Sequence, residues 1–303
     1  MVSSDQVTGV SMERDVSFRN VLFVTDFSST SQLALPYAIA LAEKYEGKVY
    51  LAHVVTPEMW EFIPPECVAD LPQKITAYAQ LRMDRLVAGT DFQGVPHETL
   101  LKQGDVWDSL REIVDDYAID AIALGLGGER ALQQVLMGSL ADKIIRLAHR
   151  PVLSVGPRAR EIEPNHRPHN ILLAIDFSLN CARAIACADS IAEKFAAKLI
   201  SVHVLANAPV DPQTKTRLEQ FFCQKLQESF PPATCSQSQR ECDVEFGTPA
   251  EAILKLASAR QVDLIVMGAR GAGSVLRGTS RFGATAYDVV SEAGCPVLTV
   301  RGN

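Results

Sequence analysis

The chain has 303 residues, 47% of them hydrophobic and 21% charged, which is the composition of a globular protein and excludes a disordered or fibrous chain. That length suits two domains of about 150 residues each. With 29 Lys and Arg against 36 Asp and Glu, the net charge is −7, and no dense Lys/Arg block occurs, so we expect no nucleic-acid partner.

The N-terminal segment, MVSSDQVTGVSMERDVS, is polar and lacks an apolar core of signal-peptide length. No uncharged apolar run of about 18 residues follows anywhere in the chain, so we expect no membrane partner. These features predict a soluble, cytoplasmic protein.

Short apolar runs alternate with helical patterns through the first half of the chain. The predicted strands are 20–25, 48–55, 95–101, 120–125 and 151–155, and the predicted helices are 29–46, 73–88, 104–117 and 139–148. Alternating β and α units indicate a doubly wound α/β domain, that is, a five-stranded parallel sheet flanked by helices. Ligands of such sheets bind beyond the carboxyl ends of the strands, where the connections reverse direction.

The second half of the chain repeats the first. NVLFVTDFS at 20–28 recurs as NILLAIDFS at 170–178, and RPVLSVG at 150–156 recurs as CPVLTVR at 295–301. Matches between these ends, including an HV pair in each copy, show that each half is one complete unit.

We therefore predict two tandem doubly wound domains, 1–157 and 170–303, joined by a polar, proline-bearing linker at 158–169.

A glycine-rich stretch, GLGGERALQQVLMGS at 125–139, follows the fourth predicted strand. Its first three glycines allow the backbone to turn with positive φ and to approach another group closely. Gly138 and Ser139 directly precede a helical pattern, and a helix N-terminus with a serine hydroxyl suits a phosphate. A plain turn followed by a Ser139 N-cap, with Asp142 three residues on, also explains the serine but leaves the glycines without a purpose.

The spacing of this stretch, G-x2-G-x9-G-[ST], resembles the motif of the ATP-binding universal stress protein family. Both copies also carry that family's Asp after the first strand, its HV after the second and its closing CPVL-like strand. The resemblance implies that ATP, with Mg²⁺ accompanying it, binds in the first copy. The residues implied are Asp26 and the Val54 backbone at adenine, Gly125 at the ribose, and Gly128, Gly138 and Ser139 at the phosphates.

Two residues of the first copy have other interpretations. Asp26 also fits the N-cap of the helix that follows, together with the serines after it. His53, beside Val54, is predicted to be structural, because a lone histidine among apolar residues is usually part of the core and the family uses the backbone of its neighbour.

The second copy departs from the motif at 268–285, GARGAGSVLRGTSRFGAT. Eleven residues instead of nine separate Gly271 from Gly283, and Ala284 replaces the serine. One hypothesis is a longer solvated loop. The other is a second nucleotide site in which arginines meet the phosphates and the helix starts one residue later, at Thr285. That site would comprise Asp176, Val204, Gly268, Arg270, Gly271, Gly283 and Thr285.

No set of catalytic groups accompanies these motifs, because the site has one carboxylate, no paired acid and base, and no P-loop lysine. We therefore predict a non-enzymatic regulatory protein of the stress response, in which ATP occupancy alters the contact with an unidentified protein partner. Two alternatives stay open: a weak ATPase or nucleotidyl-transfer enzyme using Glu129 or Arg130, and a ligand-free structural or chaperone-like module.

The two copies are expected to form an internal pseudo-dimer, as in the family, with PVLSV and PVLTV paired edge to edge. The sequence leaves open whether two chains associate further, and whether MWEFIPPE at 59–66 covers the first site or is a plain loop.

Six of the seven cysteines lie in the second half, without any CxxC, which predicts free thiols and no metal site. Their asymmetry predicts redox sensitivity in the second half wherever a cysteine is exposed.

Overall fold

The computed structural model describes residues 16–56, 71–127, 139–160, 167–178, 181–207, 211–230, 239–269 and 283–302. The elements of the first copy are β1 (Asn20–Val24), α1 (Ser29–Gln32), α2 (Leu35–Lys44), β2 (Lys48–Val55), α3 (Leu71–Ala88), β3 (His97–Gln103), α4 (Val106–Asp116), β4 (Ala121–Gly125), α5 (Ser139–Leu147) and β5 (Val152–Val155). Those of the second copy are β6 (Asn170–Ala174), α6 (Cys181–Phe195), β7 (Lys198–Leu205), α7 (Pro212–Glu228), β8 (Arg240–Phe246), α8 (Pro249–Ala259), β9 (Leu264–Gly268), α9 (Ala284–Glu292) and β10 (Val297–Val300).

The strands form one ten-stranded sheet in the order β3-β2-β1-β4-β5-β10-β9-β6-β7-β8. Among the strands of the described residues, neighbours within each copy are parallel, and only β5 and β10 pair antiparallel, with Leu153 opposite Leu298. The predicted fold class and the predicted pairing of the last strands are therefore confirmed. In each copy the connections reverse direction at one point, between β1 and β4 and between β6 and β9.

Helices cover both faces of the sheet because its inner strands are apolar on both sides. On one face, Phe23 and Leu51 belong to a buried cluster that includes residues of α2, α3 and α6. On the other face, Leu22 packs in a second cluster with Ile113 of α4 and Ile144 of α5. Successive strand residues therefore alternate between two cores, as the pleat of a strand requires.

The predicted helix at 29–46 is divided in the structure, which corrects the prediction. A short α1 ends at Gln32, and α2 begins at Leu35 with Pro36 in its first turn. Proline has no backbone N–H to donate to the preceding turn, so it kinks or breaks a helix interior, whereas a helix start accepts it without that cost. The third strand is also shifted, to His97–Gln103, relative to the predicted 95–101.

Side chains join the two copies on both sides of the β5–β10 pair. The Tyr45 hydroxyl lies 2.8 Å from Ser190 Oγ, and Arg183 Nη1 donates to the His149 carbonyl at 2.9 Å. Arg301 Nη1 contacts the carbonyl oxygens of Arg146 and Leu147 at 3.4 and 3.3 Å. Since the last carbonyls of a helix have no intrahelical partner, Arg301 of the second copy caps the C-terminus of α5 in the first.

Candidate functional site

Three of the predicted site residues of the first copy lie at one edge of the sheet. Val24, the last residue of β1, pairs with both Ala52 of β2 and Leu124 of β4, so β1 and β4 end at nearly the same level and β2 runs three residues further, to Val55. Asp26, Val54 and Gly125 lie at or just beyond those ends. The edge is also where the strand connections reverse direction, which is the expected place for a ligand in a doubly wound sheet.

The backbone of Val54 points toward the end of β1. Thr25 N–H donates to the Ala52 carbonyl on the β1 side, whereas Gly104 N–H donates to the Val55 carbonyl on the β3 side. Backbone groups of alternate strand residues point the same way, so the N–H and C=O of Val54 point to the β1 side, beyond Val24. They therefore face the space beside Asp26.

Asp26 organises the start of α1 but does not cap it. Its Oδ1 accepts hydrogen bonds from the Ser28 backbone N–H at 2.9 Å and from the Ser28 hydroxyl at 2.5 Å. Ser28 is the N-cap of α1, with its Oγ accepting from Ser31 N–H. The capping interpretation of Asp26 is therefore wrong, since the capping role belongs to Ser28. Asp26 itself is exposed.

The local hydrogen bonds keep Asp26 ionised. Partial burial raises its pKa, but the hydrogen bonds from Ser28 outweigh burial and hold the pKa below the usual value of 3.8. A carboxylate with a depressed pKa stabilises the folded protein above its unfolded-state pKa, and that contribution is lost as the pH falls through the folded-state pKa.

We therefore expect a pH-dependent effect of Asp26→Ala on stability. At neutral pH the substitution should lower the free energy of unfolding by about 1 kcal/mol, the usual net value of an intramolecular hydrogen bond, because Asp26 is exposed and its bonds to Ser28 compete with water. The difference from the unsubstituted protein should shrink only below about pH 4. Urea unfolding over a pH series measures it, and a difference that persists unchanged through acid conditions would contradict the assignment.

The backbone of Gly125 packs so closely against α1 that no side chain fits at this position. A Cβ on this residue would meet the Thr30 carbonyl oxygen and would lie 2.6 Å from Ser31 Cα. Thr30 Oγ1 donates to the Gly127 carbonyl at 3.1 Å, and Gly127 has a φ of 98°. The expected close approach and positive φ are thus found at Gly125 and Gly127. The group that approaches Gly125 is the backbone of α1.

His53 is structural, as predicted. It is 8% exposed, and its Nδ1 lies 2.8 Å from the Thr25 carbonyl. Because a carbonyl only accepts, Nδ1 carries the proton. The ring also contacts that of Phe27, with centroids 4.3 Å apart. Burial lowers the pKa of His53 and outweighs the carbonyl hydrogen bond, so the ring is neutral at physiological pH.

Arg82 of α3 was not predicted from the sequence. Its Nη2 donates to the Phe27 carbonyl at 3.0 Å, and its guanidinium lies 5.0 Å from the centre of the Phe27 ring. Lys225 occupies the same position in the second copy, 5.9 Å from the Phe177 ring. In the sequence, the signal for this residue was that a basic side chain occurs at the same position of both copies, as Arg82 and, 143 residues later, as Lys225.

Most of the residues predicted to bind the phosphates lie outside the described residues. Gly128 and Gly138 fall there, as do Glu129, Arg130 and the segment 59–66. The backbone of α5 begins at Ser139, with Asp142 in its first turn. A helix N-terminus is therefore present where the sequence predicted one.

The second copy has the same arrangement at its own sheet edge, with one change of chemistry. Asp176 follows the end of β6, and Val204 and Gly268 are among the last residues of β7 and β9; Ala174 at the end of β6 pairs with Val202 and Met267 of these strands. Asp176 Oδ1 accepts from Ser178 N–H at 3.0 Å and from the Cys181 thiol at 2.8 Å. Cys181 stands where the first copy has Ser31. Arg270 and Gly271 lie outside the described residues.

The helix of the second copy does not start later, which corrects that expectation. Gly283 is the N-cap of α9, and Tyr287 N–H donates to its carbonyl at 2.9 Å, closing the first turn. The first helical residue is therefore Ala284, and Thr285 is the second. Thr285 does not take the position that Ser139 has in the first copy.

An aromatic side chain also distinguishes the second copy. Phe222 of α7 stacks on His203, with ring centroids 4.6 Å apart and an interplanar angle of 26°. The equivalent residue of the first copy, 143 positions earlier, is the buried Ala79. Val204 is half-buried, whereas Val54 is buried. The two edges therefore differ in shape as well as in hydrogen bonding.

The fold is that of a tandem α/β protein with two doubly wound domains. In each domain, the predicted site residues lie together at the edge of the sheet where the strand connections reverse direction. The universal stress protein family matches residues 17–156 and 168–301, so the chain belongs to this family. A Thermus aquaticus relative described as "Universal stress protein in QAH/OAS sulfhydrylase 3'region" is 38% identical over 138 residues, covering 43% of this chain and 97% of the relative.

Two further relatives extend over both copies. A universal stress protein of Mycolicibacterium smegmatis is 24% identical over 297 residues, covering 93% of this chain and 96% of its own. The crystal structure of a universal stress protein from Archaeoglobus fulgidus superposes with a TM-score of 0.66 at 21% identity, covering 94% of this chain and 98% of that one. The similarity to the Archaeoglobus fulgidus structure, at this low identity, concerns the fold alone.

Among the helices that the structure describes, none is both long and apolar enough to cross a membrane. Within the same residues, no cluster of three or more His, Cys, Asp or Glu side chains could hold a metal ion.

Proposed function

We propose that this protein binds ATP at the sheet edge of the first copy and acts as a cytoplasmic regulatory protein of the stress response. The observation that carries the proposal is the convergence of Asp26, Val54 and Gly125 at the point where the strand connections reverse direction. An ionised, exposed carboxylate and two backbone groups pointing past β1 are suited to an adenine edge and ribose hydroxyls.

The role of Asp26 in ATP binding would depend on how firmly it is positioned. Both hydrogen bonds from Ser28 go to Oδ1, and they hold the carboxylate in one orientation. Arg82 fixes the Phe27 carbonyl immediately beside it. Contacts that are already in place before the ligand arrives reduce the entropy lost on binding.

The phosphates would lie toward the N-terminus of α5. Free N–H groups and the positive end of the helix dipole favour an anion there. Gly128, Gly138 and Ser139 are the residues proposed to surround the phosphates, and Mg²⁺ would accompany them as it does ATP in solution. We propose binding rather than turnover, because the edge presents a single carboxylate and no acid–base pair.

Calorimetric titration with Mg-ATP tests the proposal, with two matched substitutions in the full chain. Asp26→Ala should weaken binding at least about tenfold, which corresponds to about 1.4 kcal/mol. Asp176→Ala, the same change at the equivalent position of the second copy, should leave that affinity unchanged. Circular dichroism and a melting curve of each variant check that the protein as a whole remains folded.

The remaining outcomes are informative as well. Binding lost in Asp176→Ala and retained in Asp26→Ala would move the site to the second copy, and two independent sites would establish both. Steady release of phosphate that Glu129→Gln abolishes would favour an enzyme. Absence of any heat of binding in the folded, unsubstituted protein would refute the nucleotide proposal.

A further inference from the structure

Two cysteines of the second copy lie side by side between α7 and the edge strand β8. The thiol of Cys223 of α7 donates to the backbone carbonyl oxygen of Cys242 at 3.6 Å. Gln227, one turn further along α7, places its Nε2 4.0 Å from Cys242 Sγ. The Cys242 side chain therefore lies on the face of β8 that α7 covers.

Both thiols are half-buried and free, so neither is sealed in the core. The three other described cysteines, Cys181, Cys187 and Cys295, are buried. In the first copy the equivalent positions, 143 residues earlier, hold Gln80 and Thr99. The paired thiols are thus a feature of the second copy alone and are not needed to build the domain.

We propose that Cys223 and Cys242 are a redox modification site, at which a hydroperoxide converts the two thiols to a disulfide that joins α7 to β8. In the first step one thiolate attacks the peroxide O–O bond, giving a sulfenic acid and releasing water once the leaving oxygen is protonated. The second thiolate then attacks the sulfenic sulfur and expels hydroxide, which takes up a proton. Two thiols and one hydrogen peroxide give one disulfide and two water molecules.

The surroundings of Cys223 make this disulfide slow to form and resistant to reduction. Burial raises the pKa of Cys223 to about 12, and the neighbouring Cys242 side chain and the charges of Asp243 and Glu219 add to the effect. Little thiolate is present at neutral pH, which slows the first attack. A thiolate of high basicity is also a poor leaving group, which slows reduction once the bond exists.

The bond would act on the part of α7 that faces the sheet edge of the second copy. Phe222, the neighbour of Cys223, stacks on His203 and contacts Phe177, which follows Asp176. A covalent bond between α7 and β8 would hold this aromatic group in place. The modification is therefore expected to rigidify the edge of the second copy without touching the first.

Peptide mapping of the full-length protein tests the proposal directly. The protein is treated with hydrogen peroxide, quenched with N-ethylmaleimide, and digested with trypsin without reduction. Cleavage after Lys225, Arg240 and Lys255 places Cys223, Cys235 and Cys242 in three separate peptides. We expect the peptides 218–225 and 241–255 to appear linked, with the loss of two hydrogens, and to separate after dithiothreitol. The oxidised protein should also melt at a higher temperature.

Two substitutions and a control identify the bond. Cys223→Ser and Cys242→Ser should each abolish both the linked peptide and the shift in melting temperature. Cys235→Ser changes a cysteine that lies outside the described residues, and it should preserve both. The inference fails if the dominant link includes Cys235. It fails equally if both peptides are still recovered unlinked and unoxidised after exposure to excess hydrogen peroxide for many times longer than glutathione needs to oxidise fully in the same tube, since the first attack on the peroxide is expected to be slow.

Discussion

Replacing Gly125 with alanine is expected both to destabilise the protein and to weaken the binding of Mg-ATP at the sheet edge of the first copy. The new Cβ would meet the Thr30 carbonyl oxygen and lie 2.6 Å from Ser31 Cα, so the start of α1 would have to move away from β4. Overpacking against backbone costs about 1–3 kcal/mol. Because Ser28, the N-cap of α1, donates two hydrogen bonds to Asp26, the same movement should displace the carboxylate and lower the affinity for Mg-ATP. Urea unfolding and calorimetric titration measure the two effects.

Two other glycines separate stability from binding in this experiment. Gly47→Ala creates an equally close approach, to Arg19, but at the opposite end of β2 from Val54. It should destabilise the protein comparably and leave the affinity for ATP unchanged. Gly156→Ala places its Cβ 3.7 Å from the nearest atom and should change stability by less than about 0.5 kcal/mol. If Gly125→Ala behaved like Gly156→Ala, the packing argument would be wrong.

Leu298→Ala is expected to lower the free energy of unfolding by about 2–5 kcal/mol. Leu298 has no exposed surface and lies in β10 opposite Leu153 of β5, at the junction of the two copies. The cavity left by truncation borders strands of both domains, so both should lose stability in one transition. Thermal and urea unfolding, followed by circular dichroism, measure the loss.

An exposed leucine provides the matched control. Leu81 of α3 is 45% exposed, and Leu81→Ala in a helix should change the free energy of unfolding by no more than about 0.5 kcal/mol. Two separate unfolding transitions in Leu298→Ala, with the second copy alone destabilised, would show that the junction does not couple the domains.

Most of the fold could be predicted from the sequence because its cause is local. Continuous apolar runs such as VLFVT and AIALG identify buried parallel strands, and the repeat shows which strands are equivalent. The division of the first helix was missed although Pro36 signals it, because the surrounding apolar spacing is helical on both sides. The sequence left two starts open for α9, at Ala284 or at Thr285, because residue counts alone cannot show which carbonyl closes the first helical turn.

The candidate site was predictable only where a residue acts through its position at a strand end. Asp26, Val54 and Gly125 converge because the sheet topology brings strand ends together. By contrast, Arg301 caps α5 by contacting the carbonyl of Leu147, which lies 154 residues earlier in the sequence. No local pattern indicates such a contact. The pairs Phe222 with His203 and Cys223 with Cys242 depend on how α7 is seated over its strands, which periodicity does not specify.

The antiparallel pairing of β5 with β10 has a consequence for how this protein can diverge. Two separate identical chains joined in this way must carry identical edges, and their association would weaken on dilution. Here the junction forms within one polypeptide, so its effective concentration is fixed by the chain and does not fall with protein concentration. A substitution therefore alters one half alone, as Cys181 in the place of Ser31 and Phe222 in the place of Ala79 illustrate. Gene duplication followed by fusion thus allows one edge to retain an ancestral chemistry while the other acquires a new one.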